Sequence, residues 1–128
     1  MKYSTIIKKK FKFLKTHGFK MKKYTNGVDV EIYYENRDKV IEIYHTLCVG
    51  DLEFGHLNTD DLLKSAYYAV DIIINKNYVR KNIFDWKDLF GDAELLMLKR
   101  NIEEATSDDE KIGIFANFVE KNIEKIIE

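Results

Sequence analysis

Residues 19–35, FKMKKYTNGVDVEIYYE, decide the fold. Asn26-Gly27 stands between two alternating segments, and both residue types tolerate a positive φ, so the pair reads as the turn of a β-hairpin. After it, Val28, Val30, Ile32 and Tyr34 share one face, while Asp29, Glu31, Tyr33 and Glu35 share the other. Before it, Phe19, Met21 and Lys23 alternate with Lys20, Lys22 and Tyr24. A two-residue Asn26-Gly27 loop places Lys22 opposite Glu31 and Lys20 opposite Tyr33. A second turn around Asn36-Arg37-Asp38 leads into a third strand over 40–45, and a two- or four-residue loop there sets Glu42 opposite Tyr33 and Tyr44 opposite Glu31. Leu47, Val49, Leu52 and Phe54, arranged around Gly50-Asp51, offer a fourth strand.

Outward from this meander the period becomes helical. Toward the N-terminus, Ile7, Phe11 and Leu14 recur at helical spacing beneath a lysine-rich face. Ser4 or Thr5 is the expected cap, and His17-Gly18 the expected end. Toward the C-terminus, Asn58 or Thr59 is expected to cap a helix striped by Leu62, Leu63, Ala66, Tyr67, Val70, Ile73 and Ile74. A short helix around 83–90 contains Trp86. Gly91-Asp92 opens another helix with Leu95, Leu96, Leu98 and Ile102 on its apolar side. Ser107-Asp108-Asp109-Glu110 is a capping box before Ile112, Phe115, Val119, Ile123 and Ile126. Strands followed by helices predict an α+β fold: an N-terminal helix, an antiparallel meander of three to four strands, and a helical C-terminal half packed on one sheet face.

A chain of 128 residues, 45% apolar and 13% aromatic, is expected to form a single domain over 1–128. One cysteine, Cys48, permits no internal disulfide. No apolar run is long enough to span a bilayer, and lysines interrupt the first apolar stretch at once, so a cytoplasmic protein without membrane contact is expected. The net charge of -1 hides an asymmetry. Residues 1–28 carry nine lysines and no acid, whereas the remainder carries 12 Lys and Arg against 22 acids. A basic arm is a feature of nucleic-acid-binding accessory or regulatory proteins. The same lysines, Lys8, Lys9, Lys10, Lys12 and Lys15, suit a solvated face or pairing with the acidic remainder, and nucleic acid is the lesser expectation.

Motifs for chemistry are absent. His17, His45 and His56 are scattered, and no phosphate-cradling glycine loop or nucleophile elbow occurs. His45 and Cys48, with Asp51 and Glu53 nearby, lack the further ligands that a zinc site needs. Three residues apart on a strand, they point to opposite faces, and Cys48 reads as a buried structural residue. Asp60-Asp61 and the Asp85/Asp88 pair sit near helix starts, where negative charge favours the dipole. Trp86 among Phe84, Leu89 and Phe90 reads as core. No catalytic, cofactor or metal site is expected, and the chain is not expected to be an enzyme.

The surface carries the remaining signal. One sheet face, Phe19, Met21, Val28, Val30, Ile32, Tyr34, Ile41 and Ile43, is a core. The other gathers Asp29, Glu31, Tyr33, Glu35, Glu42 and Tyr44, with Lys20, Lys22 and Tyr24. It reads either as a solvated face tied by cross-strand Lys–Glu pairs or as a docking surface of tyrosine anchors among steering carboxylates. Glu103, Glu104, Asp108, Asp109 and Glu110 form a second acidic zone, suited to docking or to helix-end solvation.

Phe11-Lys12-Phe13-Leu14, then Gly18-Phe19, then Val30 to Asn36 and Val40 to Tyr44, resemble small bacterial immunity proteins of polymorphic and contact-dependent toxin systems. In those proteins a helix bearing F-x-F-L leads to a G-F turn and then to strands with a V-x-Y-x-N pattern. The resemblance covers roughly residues 11–54. It implies a cytoplasmic, non-enzymatic inhibitor that binds one cognate toxin domain. Where that toxin is a nuclease, clustered carboxylates could fill its phosphate-binding cleft. Exposed tyrosines would equally suit a homo-oligomer contact.

Overall fold

The computed structural model describes residues 3–26, 29–49 and 66–128. Helices α1 (Tyr3–Lys10) and α2 (Phe13–Thr16) come first. An antiparallel sheet follows, built from β1 (Lys20–Asn26), β2 (Asp29–Asn36), β3 (Lys39–Val49), β4 (Ala66–Lys76) and β5 (Val79–Asn82). A 3-10 turn over Ile83–Asp85 leads to α3 (Lys87–Phe90), α4 (Asp92–Glu104), α5 (Asp108–Lys121) and α6 (Ile123–Ile127). Among the described residues the sheet has five strands in the order β1-β2-β3-β4-β5, each paired with its neighbours in sequence. The expected α+β architecture holds, with more strands than predicted.

The extra strands come from a misread period. Residues 66–76, expected to be part of a helix, form β4, which pairs with β3 from Val40↔Asn75 to Val49↔Ala66. A run such as Val70-Asp71-Ile72-Ile73-Ile74 has apolar residues on both faces and fits either period. Its β-branched residues lose rotamer freedom in a helix and pack well on a pleated surface. Of the expected fourth strand, residues 46–49 prolong β3, while Leu52 and Phe54 lie outside the described residues. The expected helix cap at Asn58 or Thr59, with Leu62 and Leu63, lies outside them too.

The first hairpin keeps its faces and changes its register. Lys22 pairs with Tyr33 and Lys20 with Glu35, and the ladder runs to Asn26↔Asp29. This is two positions from the expected pairing, and a shift of two leaves every side chain on its predicted face. Gly27 and Val28 lie outside the described residues. The second hairpin matches expectation, with Tyr33↔Glu42 and Glu31↔Tyr44.

Ile32, Tyr34, Ile41, Ile43, Ile72 and Ile74, all fully buried, form the inward sheet face. Against them pack Ile7, Phe11 and Leu14 from α1, α2 and the turn between them, with Ile112, Phe115 and Val119 from α5 and Ile123 and Ile126 from α6. Burying one such side chain stabilises the fold by about 1.5–3 kcal/mol. Trp86 joins this core as expected, and its indole Nε1 donates to the Ile74 carbonyl at 2.9 Å. Leu95 and Leu98 of α4 are buried, but Leu96, expected on the same side, is 61% exposed. Ser107 caps α5 by accepting from the Glu110 N–H at 3.1 Å, while the Glu110 carboxylate turns back to Thr106.

The motif residues behind the family resemblance meet at the helix-to-sheet junction. Gly18 ends α2 with φ +87°. The Asn36 amide, at the far end of β2, donates to the His17 carbonyl at 3.1 Å. A Cβ at position 18 would lie 3.3 Å from that amide nitrogen, so glycine serves both the positive φ and the close approach.

Candidate functional site

Antiparallel alternation places Lys20, Lys22, Glu31, Tyr33, Glu35, Glu42, Tyr44, Asp71, Ile73 and Arg80 on the sheet face away from the core. None of them belongs to the core cluster. Four of the six predicted docking residues join one network. Tyr33 donates to Glu31 Oε2 at 3.3 Å, and the Tyr33 and Tyr44 hydroxyls are 3.2 Å apart. Tyr44 donates to Glu42 Oε1 in a short bond. The two rings meet edge to face, with centroids 6.0 Å apart.

The remaining two predicted residues are engaged separately. Glu35 forms an ion pair with Lys22 at 3.1 Å. Both partners are solvated, so the pair adds little stability. Asp29 accepts the Leu47 backbone N–H at 2.9 Å, which fastens β2 to β3 at one end of the sheet.

Arg80, which sequence reasoning did not single out, completes the network. It reaches from β5 across β4 to Glu42, with Nε 2.8 Å from Oε2 and Nη2 3.0 Å from Oε1, and Nη2 also approaches the Tyr44 hydroxyl at 3.3 Å. Glu42 is only 6% exposed although it points away from the core. Burial pushes its carboxyl up, but hydrogen bonds from Arg80 and Tyr44 and the guanidinium charge outweigh this and hold it below the usual carboxylate range. Burial and the bonds to Glu42 and Tyr33 push the Tyr44 hydroxyl up. Glu42 is thus a neutralised strut, and Glu31, Tyr33 and Tyr44 are the parts of the network open to a partner. Beside Arg80 lies a shallow cleft of about 310 Å³, lined by Tyr44, Thr46, Asp71, Ile73, Arg80 and Asn82.

His45 and Cys48 fall on opposite faces of β3, as the alternation requires. Cys48 is half-buried on the outward face, not in the core. His45 is buried on the inward face, stacked between Tyr3 at 3.8 Å and Tyr68 at 4.8 Å. Its Nε2 contacts Asp108 Oδ2 at 3.0 Å, so this member of the second acidic zone ties α5 to the sheet. No group of three His, Cys, Asp or Glu residues converges among the described residues. Lys8, Lys9, Lys10, Lys12 and Lys15 make no ion pair among the described residues, although Lys10 lines a shallow cleft with Asp109 and Glu110. Among the described residues no helix is long and apolar enough to cross a membrane. No protein-family model, curated protein or solved structure matches the chain.

Proposed function

We propose that the chain is a non-enzymatic protein-binding module of the immunity type, which binds a cognate bacterial toxin domain through the outward face of its sheet. The observation that carries this reading is the Glu31–Tyr33–Tyr44–Glu42–Arg80 network. It holds two tyrosines in fixed orientations on a face that contributes nothing to the core. Pre-ordered aromatic side chains lose little entropy on binding, and the acids around them favour a basic partner such as a nuclease surface. The test is co-expression with the product of a toxin-domain reading frame adjacent to the gene, followed by copurification. Tyr33→Ala is expected to weaken the complex by about 2 kcal/mol, roughly 30-fold, and Glu31→Lys to slow its association. Unchanged affinity in both variants would move the contact to another surface.

A second reading rests on the lysines of α1, α2 and the turn between them, which make no ion pair among the described residues and would suit an accessory protein that binds nucleic acid. Phosphate contacts would give a steep fall of affinity with salt. Absence of DNA or RNA binding at low salt removes this reading.

A further inference from the structure

The two edges of the sheet are built differently. β1, at one edge, presents Lys20, Lys22 and Lys23, the charged side chains that keep an edge strand from pairing with another chain. The opposite edge is incomplete among the described residues. β5 pairs only with Ile73–Lys76 of β4 and stops at Asn82, so Ala66–Ile72 of β4 has no strand on that side among the described residues. This open half carries no lysine, proline or arginine, and its Tyr67 and Tyr68 are 55% and 39% exposed.

Its backbone polarity follows from the hairpin. Asn77 and Tyr78 both have positive φ, the signature of a two-residue type I′ turn closed by a hydrogen-bonded Lys76↔Val79 pair. Alternation along β4 then directs the N–H and C=O groups of Ile72, Val70 and Tyr68 away from β3; Ile72 lies opposite Ile83, the residue that follows β5, and Val70 and Tyr68 face the open side. The cleft beside Arg80 lies where β5 ends, between Asn82 and Asp71. Arg80 on its wall is offset by Glu42, which lies outside the cleft, and exposed Asp71 makes no ion pair among the described residues. One negative charge remains.

We propose that the open half of β4 is a strand-addition site, at which an extended, basic segment of a partner protein continues the line of β5. Its backbone pairs with Tyr68 and Val70, and a lysine or arginine opposite Asp71 enters the cleft. The inference rests on the partner-binding reading and adds to it the chemistry of the partner.

The test uses the whole chain and two short acetylated, amidated peptides, one alternating valine with lysine and the other valine with glutamate. In the free protein, amide exchange is expected to be fast at Tyr68 and Val70 and slow at Ala69, Asp71 and Ile73. The lysine peptide is expected to slow the first set and to bind about twofold to fivefold more tightly than the glutamate peptide, the worth of one cross-strand ion pair. Asp71→Lys should reverse that preference. Binding of neither peptide, or perturbation confined to β1, overturns the proposal. So does protection of Tyr68 and Val70 in the free protein, whether sedimentation shows a monomer, in which the chain covers its own edge, or a dimer, in which a second copy does. These outcomes are separable from those for the partner-binding reading, because the peptides require no cognate toxin and Tyr33→Ala leaves β4 untouched.

Discussion

Arg80 on β5 spans β4 to clamp Glu42 on β3, with both carboxylate oxygens held, at 2.8 and 3.0 Å. The carboxylate is buried and the guanidinium about half exposed. Removing Arg80 therefore strands a charge more than it removes a surface contact. Arg80→Ala is expected to cost about 1.5 kcal/mol at pH 7, the low end for a charged hydrogen bond because solvent reaches the guanidinium. The pH dependence has a definite sign. With its pKa held below the ordinary 4.5, Glu42 adds stability that is complete above that value and is lost as pH falls through the folded value. Without Arg80, burial acts against less opposition and lifts the carboxyl, so the deficit of the variant should shrink toward about pH 4. Urea melts at the two pH values check this, and a deficit independent of pH would contradict it.

Tyr34 is fully buried, and its hydroxyl has no partner among the described residues. Tyr34→Phe removes a desolvated polar group and keeps the ring, so stability at pH 7 should be unchanged or rise by about 1 kcal/mol. Burial pushes the hydroxyl from 10.0 up to about 12. Its contribution is complete below 10.0 and is lost as pH rises toward the folded value. Thermal melts in alkaline buffer should show this loss in the wild type and its reduction in Tyr34→Phe.

The His45 ring joins three elements, through Tyr3 of α1, Tyr68 of β4 and Asp108 of α5. His45→Ala leaves a gap between two aromatic rings and is expected to cost about 3 kcal/mol by urea denaturation. His45→Phe should recover the stacking share but not the bond to Asp108. Equal stability of the two variants would show that the stack contributes nothing.

Tyr78, 90% exposed, occupies the β4–β5 turn with φ +65°. A bulky residue there is strained, and Tyr78→Gly is expected to raise stability by up to about 1 kcal/mol after the greater freedom of glycine in the unfolded chain is offset. A fall in melting temperature would instead assign the Tyr78 side chain a contact of its own.

The first three strands and the sorting of their faces were legible because period-two alternation survives any even error in register. Reading Lys22 opposite Glu31 rather than Tyr33 left Glu31, Tyr33, Glu42 and Tyr44 on the outward side. Arg80 and Asp71 were hidden for a different reason. Their positions on the sheet depend on β4, and the run Val70 to Ile74 fits a helical stripe as well as a strand. Only its β-branched composition, with Asn77 as a turn residue after it, distinguishes the two. The burial of Glu42 could not be inferred from its own strand, because the side chain that covers it comes from β5.

The contact between α1 and α5 has a consequence for synthesis. The sheet can zip hairpin by hairpin as it emerges, yet Ile6, Ile7 and Phe11 leave the ribosome long before Ile112, Phe115 and Val119, which share their core. The greasy surface of α1 must therefore wait until α5 has been translated, and that interval is where chaperone capture or premature clumping would act.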